Sequence, residues 1–165
     1  MRILGIDPGS QVTGYGVIDT DGNRHGLVSE GVVRTRSMRG FPEKLQLIHQ
    51  GIVDVVERCR PDQMVVESLF YATNVKSALK LGHVRGVVLL AGVECGLPVH
   101  EYSPLEVKQA VVGYGRADKN QVQKMVAVLL SLGHPPEPHD AADALAVAIC
   151  HANQLRFVAK VRTAP

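Results

Sequence analysis

The 165-residue sequence is short of cysteine. Its three, Cys59, Cys95 and Cys150, are far apart and odd in number. No Cys-x-x-Cys pair and no Cys/His ligand spacing occurs, which argues against a zinc module and a disulfide framework and for free thiols in a reducing compartment. Long apolar runs are also missing. The longest, Val87–Val93, covers about seven residues between Arg85 and Glu94, where a membrane span needs about 20. No charged-then-apolar leader precedes Ile3–Ile6, so a soluble, cytoplasmic protein is expected. There is no internal repeat, no low-complexity linker and no Gly-x-x-x-x-Gly-Lys-Ser/Thr phosphate loop. Nor is there an excess of one charge: 18 Lys plus Arg face 16 Asp plus Glu, a net +2. Taken alone, that balance gives no reason to expect a nucleic-acid partner.

What is present is ordinary globular composition, 45% hydrophobic and 21% charged, too apolar for disorder. The length suits one domain, expected over 1–155, with a short, loose basic tail over 156–165 that carries Arg156, Lys160 and Arg162. The first third reads as strands: Ile3–Ile6, Gly14–Ile18 and Leu27–Val33, with a turn at Asp19–Asn23. Apolar residues at helical spacing follow over Phe41–Cys59. A short strand, Met64–Val66, comes next, then a helix over Asn74–Glu94 and a strand at Pro98–His100. Further helices are expected over Pro104–Val112, opened by Ser103-Pro104, Lys119–Leu132 and Asp140–Leu155. Antiparallel strands first, then strands alternating with helices, predict an α/β fold: a mixed β-sheet flanked by α-helices.

Acidic residues stand at the ends of the buried elements. Asp7 follows an apolar strand and precedes Pro8-Gly9; Glu67 takes the same place after Met64–Val66. Groups at the C-termini of such strands line the functional crevice of open α/β sheets. Asp140 and Asp143, at i and i+3, share one face in the first turn of a helix that is apolar all round from Ala144 to Cys150. A turn aspartate or a helix cap accounts for any one of these acids. Four at three buried ends point to a hard divalent cation with oxygen ligands, Mg²⁺ or Mn²⁺ in its place. Such clusters hold two ions about 4 Å apart and hydrolyse phosphodiesters, one ion preparing water and the other stabilising the leaving oxygen. His139, four residues before Asp143, is a further ligand or proton donor on this reading, or an idle cap-region residue.

Gly5-Ile6-Asp7-Pro8-Gly9 with Thr13-Gly14-Tyr15-Gly16, Val66-Glu67, Ser77–Gly82, Val107-Lys108-Gln109 and Asp140-Ala141-Ala142-Asp143 occur in an order and spacing that closely resemble the RuvC family of Holliday-junction resolvases, over nearly the whole chain. The resemblance implies a ribonuclease H-like fold and metal-ligand roles for Asp7, Glu67, Asp140 and Asp143, with about two Mg²⁺ per subunit. Some relatives carry histidine at the position of Asp140, which leaves open whether His139 takes part; the i,i+3 pairing with Asp143 favours Asp140. Lys108 and Lys119 resemble the family's basic residues near the scissile phosphate, and Phe70 the aromatic that stacks on an opened base, an interaction of roughly 1–3 kcal/mol. Tyr71 is expected in the core. The resemblance further implies a homodimer, with four-way junction DNA as substrate, paired symmetric nicks leaving 5′-phosphate and 3′-hydroxyl ends, and the branch-migration proteins RuvA and RuvB as partners. Gly82-x-x-x-Gly86 on the helix after Asn74 hints at close helix packing, and part of the dimer interface is expected there.

Two other readings stand beside this one. Asp7–Ser10 with Thr13-Gly14 resembles the phosphate loop of the actin and sugar-kinase fold, but those proteins need two such domains. A non-catalytic junction-binding protein has no use for four clustered acids, which are costly without compensation. If two divalent ions offset the four acids, 18 basic groups face the 12 remaining acidic ones. Lys76, Lys80, Arg85, Lys108, Arg116, Lys119 and Lys124 are then expected around the cleft as a DNA-binding surface.

Overall fold

The structure, a computed structural model, describes residues 1–38, 40–68 and 74–163, with 158–163 as backbone only. The chain runs through β1 (Arg2–Asp7), β2 (Val12–Thr20), β3 (His25–Arg34), α1 (Phe41–Cys59), β4 (Gln63–Glu67), α2 (Val75–Glu94), β5 (Val99–Tyr102), α3 (Pro104–Val112), α4 (Lys119–Leu129) and α5 (His139–Thr163). The strands form one mixed sheet in the order β3-β2-β1-β4-β5. β1–β2 and β2–β3 are antiparallel; β1–β4 and β4–β5 are parallel. The expected mixed sheet with flanking helices is therefore what the chain forms.

Central β1 is covered on both faces, which is why Ile3–Ile6 reads as a continuous apolar run rather than an alternating one. Leu4, Ile6, Met64 and Val66 pack with Ile48 and Ile52 of α1 and Val84 and Val88 of α2. One residue out of step, Ile3 and Val65 face the other way, onto Leu145 and Ile149 of α5 and Val107 and Val111 of α3. The α3 start is a capping box between Ser103 and Glu106, and Gly113 ends it in the left-handed region at φ 90°. Asp118 and Gln121 form a second box at the start of α4.

Two helix ends differ from expectation. α4 stops at Leu129 rather than Leu132 because Leu130 caps it and Ser131 turns left-handed, φ 55°. The backbone of α5 stays helical through Thr163, so the segment expected as a loose tail from 156 continues the helix to that point. Among the described residues, no helix is long and apolar enough to cross a membrane.

α5 lies unusually close to the sheet because three glycines make room for it. A Cβ on Gly5 would come within 2.1 Å of the Ala144 carbonyl oxygen, one on Gly14 within 1.9 Å of the Asp140 carbonyl oxygen, and one on Gly16 within 2.6 Å of the Leu145 side chain. A side chain at any of these positions would lift the helix off β1 and β2.

Candidate active site

The parallel register of β1 and β4 pairs Ile6 with Val66, so Asp7 and Glu67 leave the sheet side by side at one edge. Gly14 is the antiparallel partner of Asp7, and α5 is seated on Gly14. The glycine track therefore delivers the first turn of α5, with its two aspartates, to the edge where Asp7 emerges. α3 and α4 close the other side. Asp7, Glu67, Asp143, Lys108 and Lys119 line one cleft of about 230 Å³, walled by Pro104, Val107, Val122 and Ala146.

The turn after Asp7 is fixed by Thr13, which is fully buried. Its Oγ1 donates to the Gly9 carbonyl at 2.8 Å and accepts from the Gly9 N–H at 3.3 Å. The signal in the sequence is a hydroxyl residue inside an otherwise buried strand, which needs a main-chain partner.

The cleft is short of positive charge. Burial, and then the charges of Glu67, Asp143 and Asp140, push the Asp7 carboxyl up to about 8. Burial and the charge of Asp143 also raise Glu67. The cation in contact is Lys119, whose Nζ donates to Asp143 Oδ2 at 3.0 Å; that bond and the Asp143 charge raise the Lys119 ammonium in turn.

The four acids do not all stand alike. Asp143 lines the cleft and Asp140 does not, although the charge of Asp140 is felt at both Asp7 and Lys119. His139 is turned toward α4, where Gln123 donates its amide N–H to His139 Nδ1. As the side chains stand, no three His, Cys, Asp or Glu groups among the described residues form a ready cage for an ion. The donor set is nevertheless all oxygen, and its electrostatics call for added positive charge.

The other basic residues named from the sequence are not gathered into this cleft. Lys76 is exposed in the first turn of α2. Lys80 lies 6.0 Å from the centre of the Phe41 ring. Arg85 pairs with Glu101 of β5. Arg116 is exposed in the α3–α4 connection, and Lys124 is exposed on α4. Phe70 and Tyr71 lie outside the described residues.

Behind the cleft a polar cluster ties α5 to the sheet. Tyr102 donates its hydroxyl to His151 Nδ1 at 2.9 Å, and His151 Nε2–H donates to Gln63 Oε1 at 2.6 Å. The His100 ring stacks 4.4 Å away, centre to centre.

Comparison with known proteins places this arrangement. The family model described as "Crossover junction endodeoxyribonuclease RuvC" matches residues 3–151. Relatives with that same description, from Geobacter sulfurreducens and Geotalea uraniireducens, are 56% and 54% identical over 153 residues; both alignments take in 93% of this chain, and 93% and 89% of the relative. The solved Thermus thermophilus RuvC in complex with Holliday junction substrate superposes with a TM-score of 0.90 at 38% identity, covering 96% of each chain. The yeast mitochondrial resolvase Ydc2 shares the fold at a TM-score of 0.69 and 15% identity, over 97% of this chain and 80% of that one. The chain thus belongs to the RuvC family of crossover junction endodeoxyribonucleases.

Proposed function

We propose that the protein resolves four-way DNA junctions by nicking two strands of like polarity symmetrically across the crossover, in recombination and repair in the cytoplasm of a bacterium. The observation that carries this reading is the cleft itself, with Asp7, Glu67 and Asp143 facing Lys108 and Lys119 in a chain of this family. Asp7, Glu67, Asp143 and Asp140 would hold Mg²⁺, two ions per subunit, or Mn²⁺ in its place. Hard oxygen donors suit such ions, and a bound cation would offset the burial and the neighbouring negative charges that push Asp7 up to about 8. When bound, the metal supplies a water nucleophile and charge stabilisation at the phosphate.

The chain's own groups orient the reacting phosphate. Lys108 and Lys119 meet its non-bridging oxygens, where fixed cations act on charge that develops in the transition state. Glu67 and Asp7 hold the acidic wall at the sheet edge. Phe70 is assigned by resemblance to stacking on a base opened at the crossover, and Lys76, Lys80, Arg85 and Arg116 to the wider DNA surface. Arg85 reaches DNA on this reading only by leaving Glu101.

Two opposed nicks call for two active sites related by a twofold axis. α2 turns Val75, Leu79 and Leu90 outward beside Gly82 and Gly86, over a groove of about 640 Å³, and we assign this face to the homodimer. RuvA and RuvB are the expected partners. A labelled synthetic four-way junction tests the function: with Mg²⁺ the protein should yield paired, ligatable nicks and leave linear duplex intact. Equal cutting of duplex and junction contradicts it.

A further inference from the structure

β3 ends at the same sheet edge as β1. In the register, Gly14, the partner of Asp7, faces Val32, and Val12 faces Arg34. With strands about 4.8 Å apart and a rise of about 3.3 Å per residue, the Arg34 backbone stands roughly 12 Å from that of Asp7. The next residue, Thr35, is polar and fully buried. Its Oγ1 donates to the Ser10 carbonyl at 2.7 Å and its N–H to the Gln11 carbonyl at 3.0 Å. Ser10 and Gln11 belong to the loop that leaves Asp7. The Met38 N–H closes a turn onto the Thr35 carbonyl at 3.1 Å, which puts Arg36 on its outer corner.

Thr35 does the anchoring, and the arginines on either side of it are exposed. Among the described residues neither has an acidic partner within 4.0 Å. Of the acids nearest in sequence, Glu30 keeps its Oε2 buried, and Glu43 has its carboxylate back against Gly40. Two exposed arginines without an acidic partner, on backbone tied to the loop that follows the central carboxylate, add no ion pair to the fold. Arginine's planar fork matches phosphate oxygens in a bidentate manner.

We infer that Arg34 and Arg36 form a second phosphate-binding point, outside the cleft lined by Lys108 and Lys119, that grips the DNA backbone to one side of the scissile phosphate. The inference rests on the reading of the protein as a junction nuclease.

The test is junction binding by fluorescence anisotropy over a range of salt concentrations, without divalent cation. Wild type is compared with the double variants Arg34→Gln/Arg36→Gln and Arg34→Lys/Arg36→Lys, and with Arg24→Gln at the β2–β3 turn. Removing one cation that sits on a phosphate reduces the slope of log affinity against log salt by about 1. The glutamine double variant should therefore lose about 1–2 from the slope and bind several-fold more weakly near 0.15 M salt. The lysine variant should keep most of the slope, and Arg24→Gln all of it. An unchanged slope in the glutamine variant overturns the inference alone. Failure of the wild type to bind the junction overturns the functional reading, and the inference with it.

Discussion

Gly14 lies directly beneath the main-chain carbonyl of Asp140, so closely that a Cβ there would come within 1.9 Å of the oxygen. The missing side chain of one residue thus sets the height of the helix that carries two of the four candidate ligands. Gly14→Ala should cost about 1–3 kcal/mol through overpacking and depress cleavage further than that loss of stability explains. Urea denaturation and cleavage of the junction by the folded variant check both parts. A variant that cleaves as well as wild type would show that α5 need not sit where it does.

Asp7 makes stability depend on pH in an unusual direction. Its carboxyl lies near 8 in the fold and near 4 when unfolded. Between those values the folded state binds more protons, so stability without divalent cations falls as pH rises from about 4 to about 8. Asp7→Asn should remove the part of that dependence owed to Asp7, leaving the part owed to the raised Glu67 carboxyl, and be more stable than wild type at pH 8, by roughly a few kcal/mol. Melting curves in chelator, then in Mg²⁺, check this: added Mg²⁺ should raise the wild type toward the variant and leave the variant little changed.

His151 works with the opposite sign. Burial, reinforced by His100, lowers its imidazole to about 4, against about 6.5 unfolded. Between these values the unfolded state binds more protons, so this residue's contribution to stability is lost as pH falls from about 6.5 to about 4. His151→Phe should be destabilised at pH 7, where it forgoes the bonds to Tyr102 and Gln63, and less so at pH 4.5. The difference in melting temperature between variant and wild type at the two pH values checks it.

Lys119 bonds Asp143 across the cleft, yet most of its side chain is exposed. Its stabilising worth is accordingly small, and its use is at the phosphate. Lys119→Ala should keep its fold and lower the single-turnover cleavage rate by roughly 10²-fold at saturating protein. Rapid-quench cleavage of pre-bound junction, with a melting curve as control, separates the two effects.

Much of this was legible in the sequence. Acids at the ends of apolar runs marked the sheet edge, because a turn or a cap explains any one of them but not four at three buried ends. Thr13-Gly14-Tyr15-Gly16 was visible as a pattern, but its physical role, room for α5, required knowing which helix lies on it. His151 was hidden by its setting, since a helix apolar on every side gives no sign of one polar contact. The i,i+3 spacing put Asp140 and Asp143 on one face, and only Asp143 lines the cleft. A helical face is wider than the site it borders. The basic residues of α2 were the least legible: Lys80 and Arg85 lie against Phe41 and Glu101, and linear spacing does not report such partners.

The most direct test sets wild type beside Asp7→Asn on one labelled four-way junction, with binding and cleavage read from the same samples in Mg²⁺. The account predicts paired symmetric nicks by the wild type, and a variant that binds the junction and does not cut it. Unimpaired cleavage by Asp7→Asn would contradict the assignment of the cleft as the metal-dependent active site.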